Sequence, residues 1–419
     1  MKLNVNKFLP VVALALSVGL LTSKSVAQQN IYAVTSAKQL IKMDTSGTVA
    51  STTAITGTLG TESIYGIDFR PATGELYALI GTQTALTITD AKIFTIDPAT
   101  AVATAVSAAG VTLAGSKVGF DFNPTVDRIR VVTDLNDNVR FEPTSGTQVG
   151  VDTPLITTPL SISEVAYDRN FPAGSTSGTA VTTLFGIDVL NDNLVTIGGV
   201  DGSPSPNLGS VTTVGPLGVN AETSSALDLA DNVLYGILRV SGSTELHTIN
   251  PATGAATFVA TIASAPEIVG MAVEAQDLTL TKVKAKVNFA KTGADSISIT
   301  GVLPVPAGFD VTGKVLNVNF GGVFKTFTLD LKGKAKVGFD SVSVKVKNKK
   351  GVIAAQDAPL KINLKKGTFA PELLDEGFVN ATVTGSVKIV TTVQLGDTVR
   401  QGSSTLAYKA KAGKTGSAK

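Results

Sequence analysis

The sequence predicts an all-β protein: a five-bladed β-propeller followed by a β-sandwich-like domain. Three observations lead there. First, the composition suits pleated sheets and their turns: among 419 residues, 53 are Thr, 41 Gly and 17 Pro, with three Met, no Trp and no Cys. Thr and Val pack well on half-buried sheet surfaces, and Gly and Pro punctuate turns. Second, a strand–turn–strand pattern recurs at roughly 45–50 residues, a period close to that of known propeller repeats. Third, charge divides the chain. Residues 28–276 carry 10 basic and 23 acidic groups, net −13, whereas residues 277–419 carry 22 and 10, net +12. Such asymmetry argues for two domains with different surfaces. Hydrophobic residues at 43% and charged residues at 16% allow sizeable cores and exclude a disordered polyelectrolyte.

Residues 1–27 read as an export signal. Lys2 and Lys7 make a positive start, Phe8 to Leu21 is apolar, and Ser25-Val26-Ala27 places small residues before a cut ahead of Gln28. The apolar run has 14 residues, short of the ~20 that a spanning helix needs. Cleavage is therefore favoured over anchoring. The mature chain is expected outside the cytoplasm (periplasm, extracellular space or cell surface), with no membrane span.

Residues 28–276 form the predicted propeller. Tyr65 to Phe69 and Leu76 to Leu79 flank the turn Pro71-Ala72-Thr73-Gly74; Lys92 to Ile96 then leads through Asp97-Pro98-Ala99-Thr100 to Ala101 to Thr104. The pattern returns as Val118 to Asn123, Arg128 to Val132, Asn138 to Phe141 and Gln148-Val149. It returns again in Val165 to Asp168, Thr183 to Asp188 and Leu194 to Ile197, and in Ser225 to Asp228, Val233 to Ile237, Glu245 to Ile249 and Ala256 to Val259. At the start, Ile31 to Val34 and Leu40 to Asp44 match second and third strands, with no first strand before them. Ile268 to Val273 supplies that strand from the far end. A blade completed by both ends closes a ring and removes open sheet edges; an open array of hairpins is the alternative. The turns have a local cause: Pro presets φ for a type I turn and Gly takes the left-handed position after it, as in Pro143-Thr144-Ser145-Gly146 and Pro251-Ala252-Thr253-Gly254.

The run Gly119-Phe120-Asp121-Phe122-Asn123-Pro124-Thr125-Val126-Asp127-Arg128-Ile129-Arg130-Val131-Val132, with Asn138-Val139-Arg140-Phe141-Glu142-Pro143 after it, resembles the hallmark of the domain of unknown function 4394 family of secreted bacterial proteins. The likeness covers about residues 30–274. It implies a propeller-like secreted domain and assigns no catalytic residue.

The basic half alternates strictly in Leu280 to Phe289 and in Val342 to Lys347, the period of a strand with one buried and one solvated face. Val315 to Phe320 and Val323 to Leu331 are joined by Gly321-Gly322, a good hairpin turn. Further strands are expected at Leu360 to Leu364 and Thr382 to Val390, giving a basic sandwich-like domain over residues 277–395. Residues 396–419 are expected as a basic flexible tail. The Lys residues fall on the polar phase, which gives either a solvated, edge-protected sheet or a cationic face for anionic glycan, envelope polymer or the acidic propeller. Nucleic acid is disfavoured: Arg400 is the one Arg in this half, and stacking aromatics are scarce.

Zero Cys excludes disulfides, thiolate metal sites and a Cys nucleophile. A single His, His247, excludes a multi-histidine metal site; it aligns with Phe94 and Phe141, an aromatic slot more suited to packing than to catalysis. Second-to-third strand turns and blade-to-blade links share one propeller face, and the Pro-Ala-Thr-Gly turns occupy the other. Two oxygen-rich runs on the first face, Asp134, Asn136 and Asp137, and Asp188, Asn191 and Asp192, are candidate Ca²⁺ ligands. Tight-turn chemistry explains the same residues. No other cofactor is expected. Asp68, Asp121 and Asp228 each follow an apolar residue in a first strand and read as recurrent structural carboxylates that anchor turns or neighbouring blades; general acid–base work requires several of them close and poorly paired near the channel.

The reading that follows is a secreted, non-enzymatic binding or surface/matrix-associated protein, with carbohydrate, envelope polymer or an exported protein as partner. A Ca²⁺-dependent propeller hydrolase, whose carboxylates should converge on one axial point, and a self-associating coat component are the alternatives.

Overall fold

The structure, a computed structural model, describes residues 29–419 apart from 58–59, 157–158, 173–180, 223–224, 263–266 and 350. The expected export signal over residues 1–27 lies outside the described residues. No helix among the described residues is long and apolar enough to cross a membrane.

Five four-stranded antiparallel blades form the first half. Blade 1 is assembled from both ends of the domain: Ile268–Val273 is its first strand, followed by Asn30–Thr35, Gln39–Asp44 and Val49–Ala54. Ile31 pairs with Val273 and Val34 with Gly270, so the predicted ring closure is present. Blade 2 runs Ser63–Phe69, Leu76–Thr84, Thr87–Ile96 and Val102–Ala105; short strands Thr56–Gly57 and Val111–Ala114 add to it. Blade 3 is Val118–Asn123, Arg128–Thr133, Asn138–Phe141 and Gln148–Val151. Blade 4 is Ile162–Tyr167, Leu184–Asp188, Asn193–Ile197 and Val211–Pro216, and blade 5 is Ser225–Ala230, Val233–Val240, Ser243–Ile249 and Ala256–Thr261. Apolar layers between blades hold the ring, for example Tyr77, Leu79, Phe120, Phe122 and Phe141 between blades 2 and 3.

The five first strands pack side by side around the axis, each against the next. They approach so closely that a side chain at the facing position would collide. A Cβ on Gly119 would lie 2.7 Å from the Val165 nitrogen, and one on Gly270 would lie 2.8 Å from the Gly66 Cα.

The second half is one antiparallel sheet of ten strands, ordered from Val323–Thr328 through Val315–Phe320, Val383–Leu395, Thr398–Ala410, Thr415–Ala418, Thr279–Asn288, Asp295–Val305, Gln356–Gly367 and Asp340–Val344 to Lys334–Val337. It rolls over a single core until its two end strands come together, a nearly closed barrel- or sandwich-like form. The alternation read from the sequence is its cause: Val283, Ala285 and Val287 are buried while Lys282, Lys284 and Lys286 are exposed. Cross-strand Ser residues separate like charges, as where Lys286 pairs with Ser417 and Ser417 with Lys409.

One expectation is corrected. Residues 396–419 are not a flexible tail. Thr398–Ala410 pairs along its whole length with Val383–Leu395, and Thr415–Ala418 pairs with two strands. Leu406, Tyr408, Ala410 and Ala418 enter the core. Ser, Thr and Ala are only weakly apolar, so the alternation there is faint in sequence.

The barrel sits against the propeller end that carries the first-to-second strand turns. Val399 N donates to Asp231 (2.9 Å), Gln401 Nε2 to the Pro71 carbonyl (2.7 Å) and Asn319 Nδ2 to the Pro172 carbonyl (2.8 Å). Phe171 meets Phe324 edge-on at 5.8 Å. The opposite face, with the second-to-third strand turns and the blade-to-blade links, takes no part in these contacts among the described residues.

Candidate functional site

The first strands bring four carboxyls to the propeller axis. Asp68, Asp121 and Asp228 occupy one register position in blades 2, 3 and 5; Ala166 and Ala272 hold it in blades 4 and 1. Each Asp reaches the next blade: Asp68 accepts from Phe122 N (2.8 Å), Asp121 from Tyr167 N (2.8 Å) and Asp228 from Val273 N (2.5 Å). These bonds satisfy first-strand amides that have no partner in their own sheet, which is the anchoring role expected from the sequence. One carboxylate oxygen from each of the three lies within 4.8 Å of the others.

The fourth is Glu164. It stands two residues before Ala166, at the register position that Gly66, Gly119 and Gly270 fill in blades 2, 3 and 1. Its Oε1 accepts from Phe120 N (3.1 Å) and Val165 N (3.2 Å), while its Oε2 is buried with no hydrogen-bond partner among the described residues.

All four residues are 1–4% exposed. Desolvation therefore dominates their chemistry, because burial penalises the charged form. It pushes Asp68 up to about 7. Burial, then the Asp68 and Asp228 charges, raises Asp121 well above the usual carboxylate range. Burial, with Asp68 nearby, does the same to Asp228. Glu164 is raised by burial and then by Asp228 and Asp68. Among the described residues none of the four has a Lys, Arg or His ion-pair partner. Sealed from solvent, the group can share protons or hold a small cation; it offers no surface to a polymeric substrate.

The open face ends in a cavity of about 290 Å³ at the axial mouth, lined by residues including Ser63, Tyr65, Gln83, Ser116, Lys117, Ser163, Ser225 and Glu267. β-Bulges shape it. The register of the first strand slips at Tyr65, Ser163 and Val269 in blades 2, 4 and 1, and all three line the cavity. An extra residue in one strand re-aims the side chain beside it. Lys117 from blade 3 pairs with Glu267 at the start of blade 1, 2.9 Å apart, so the ion pair bridges blades that are not neighbours. Ser163 and Ser225 hydroxyls meet at 2.5 Å.

The six candidate Ca²⁺ ligands lie on this open face, in matching turns of blades 3 and 4. Asp134 accepts from the Ser116 and Lys117 amides (2.8 and 3.1 Å), which positions Lys117 at the mouth. Asp137 accepts from Ala114 N (2.6 Å). Asp188 accepts from Ser161 N (3.0 Å) and Asn191 Nδ2 (2.7 Å), and Asp192 from Ala221 N (2.8 Å). Asn136 and Asp192 take positive φ, 75° and 54°, the left-handed geometry that Asn and Asp tolerate. The structure does not gather the six into one cluster: among the described residues, Asp68, Asp121 and Asp228 are the one group of three or more His, Cys, Asp or Glu with ligand atoms within 4.8 Å.

His247 is buried, with Nε2 3.0 Å from Glu245 and its ring edge-on to Phe258 at 5.8 Å. Sequence reading missed two residues. Glu164 was detectable as an acid in a glycine column of the repeat. Arg130, 2% exposed, joins blade 3 to the loop of blade 4 through Asn138, Asp152 and Asn207, while Arg140 clasps Asp152 with two bonds of 2.8 Å.

Among solved structures the chain is similar to a putative 6-phosphogluconolactonase from Bacteroides uniformis, at 12% identity over 73% of this chain and 97% of that one, TM-score 0.29. It is also similar to TolB from Acinetobacter baumannii, at 11% identity over 59% and 67%, TM-score 0.32. At these values the likenesses carry no functional argument. No curated protein matches the chain. A family described as "Domain of unknown function (DUF4394)" matches residues 39–272, more than half of the chain and nearly all of the propeller, and the chain belongs to that family.

Proposed function

We propose that the protein is an exported, non-enzymatic binding protein that takes a carbohydrate in the mouth of its open propeller face. The observation that carries this reading is the lining of the mouth. Several Ser hydroxyls, the Gln83 amide and a Lys117–Glu267 pair converge on one concave site. Such a set offers both donors and acceptors, which suits a polyhydroxylated ligand. The volume of about 290 Å³ is at the lower end of ligand pockets and fits one sugar ring at the end of a longer glycan. The basic barrel, on the opposite face, would hold the protein to anionic envelope polymer through its exposed Lys rows.

A glycan panel against the mature full-length chain, followed by calorimetry on any hit, tests the reading. Lys117→Ala and Gln83→Ala should each weaken binding by about tenfold or more, the scale expected for a lost charged or polar ligand contact. Absence of any hit, or affinity unchanged in both variants, would remove the mouth as the binding site.

A further inference from the structure

We propose that Asp68, Asp121, Asp228 and Glu164 hold one divalent cation of the calcium class on the propeller axis. Two independent observations support it. The first is spacing. Oxygens on opposite sides of a bound Ca²⁺ are about 4.6–5.2 Å apart, twice the usual Ca–O distance, and the three Asp oxygens all lie within 4.8 Å of one another. They can therefore sit on one coordination sphere. The second is Glu164. Its Oε2 is buried and unpartnered, and a buried polar atom without a partner calls for an explanation such as an ion. Its other oxygen takes the amide of Phe120, the residue next to Asp121, so the carboxyl stands on the axis beside the three Asp, although its oxygens are not among those that lie within 4.8 Å of one another.

The donor chemistry selects the ion. All donors are carboxylate oxygens, which exclude soft, thiolate- or imidazole-seeking metals. Mg²⁺ demands near-octahedral geometry and keeps several waters, whereas Ca²⁺ accepts irregular all-oxygen shells. The ion would also explain why four acids are gathered in a buried channel where, among the described residues, none has a basic ion-pair partner. A divalent charge offsets the mutual repulsion of ionised carboxyls, and it ties blades 2, 3, 4 and 5 to one point.

Because the site is sealed, exchange should be slow, and the test must load it during folding. The mature chain is unfolded, refolded in Ca²⁺ or in EDTA, desalted, and its metal content measured by mass spectrometry together with its thermal midpoint at pH 8. About one Ca²⁺ per chain and a midpoint several degrees higher than in the EDTA sample are expected, since a ligand specific for the native state stabilises it by mass action. Glu164→Gln and Asp121→Asn keep an oxygen for the Phe120 and Tyr167 amides, and each should cut retained Ca²⁺ to less than half. No retained Ca²⁺ with equal midpoints in wild type would overturn the proposal and leave protons as the neutralising charge. Full retention in both variants would equally overturn it, by placing the ion elsewhere, for instance at Asp134 or Asp188. Asp134→Asn combined with Asp188→Asn leaves the axis intact and should keep the full Ca²⁺ content; loss of the ion from that variant would overturn the proposal even if the axial variants fail to fold.

Discussion

Asp68 is an acid that the fold holds partly protonated near neutrality, and that has a thermodynamic consequence. Its folded pKa is raised to about 7 by burial, and Asp121, Glu164 and Asp228 are raised for the same reason. In the unfolded chain each returns to about 4. Between those values the folded state binds more protons than the unfolded state, so stability is full below about pH 4 and falls as pH rises through 7. Protein refolded in EDTA should therefore lose thermal midpoint steadily from pH 5 to pH 8; a midpoint that climbs over that range would contradict the assignment. The same crowded axis makes glycine necessary at position 119. Gly119→Ala pushes a Cβ to 2.7 Å from the Val165 nitrogen and 2.9 Å from the Glu164 carbonyl carbon. Backbone cannot yield as a side chain can, and overpacking of this kind costs about 1–3 kcal/mol. Urea unfolding of that variant measures it, and a change under about 0.5 kcal/mol, the range of an ordinary surface substitution, would mean that the strands can separate freely.

At the scale of the element, the blade is a set of strands whose identity is written in their turns. Arg70 N and Glu75 O close the first hairpin of blade 2 around Pro71-Ala72-Thr73-Gly74, and Asn250 Oδ1 caps the same four-residue sequence, used at the third-to-fourth strand turn of blade 5, through Ala252 N at 2.9 Å. Such local chemistry repeats visibly, so the blades and their split member were legible. The barrel's last strands were not, because Gly402-Ser403-Ser404-Thr405 has little apolar contrast, even though the strand pairs as a hairpin with the neighbouring Val383–Leu395. The axial site was half legible. The three Asp stood out as a recurrent first-strand feature, but their convergence depends on the radius of the ring, which no local pattern encodes. Arg130 belongs to this scale too, since it fastens one blade to the next. Arg130→Met removes a buried guanidinium from Asn138, Asp152 and Asn207. Breaking a buried pair leaves the partner charge uncompensated, at about 3–5 kcal/mol. Arg140 still holds Asp152, so the lower end of that range is expected from chemical denaturation; a neutral result would show that the blade 3–blade 4 contact rests on apolar packing alone.

The whole molecule depends on a strand that arrives last. Ile268–Val273 is the first strand of blade 1, and it pairs with Asn30–Thr35 at the other end of the propeller. It also packs against the first strands of blades 2 and 5 and gives Asp228 the Val273 amide. Without it the ring has a gap on the axis, Asn30–Thr35 has an unpaired edge, and the Asp228 carboxyl loses its inter-blade donor. The barrel beyond residue 277 contributes differently: among the described residues its contacts with the propeller include three hydrogen bonds and an aromatic pair, and its net charge is opposite to that of the propeller. Two truncations separate these roles. Residues 28–276 keep the closing strand and should fold cooperatively as a monomer, with a sharp thermal transition and a single peak on size exclusion. Residues 28–262 lack it. Open sheet edges invite pairing between chains, so this piece should aggregate or unfold without cooperativity. If both pieces melted alike, the ring would not need its clasp, and the five blades would behave as an array stabilised by neighbour contacts, as in an open repeat protein.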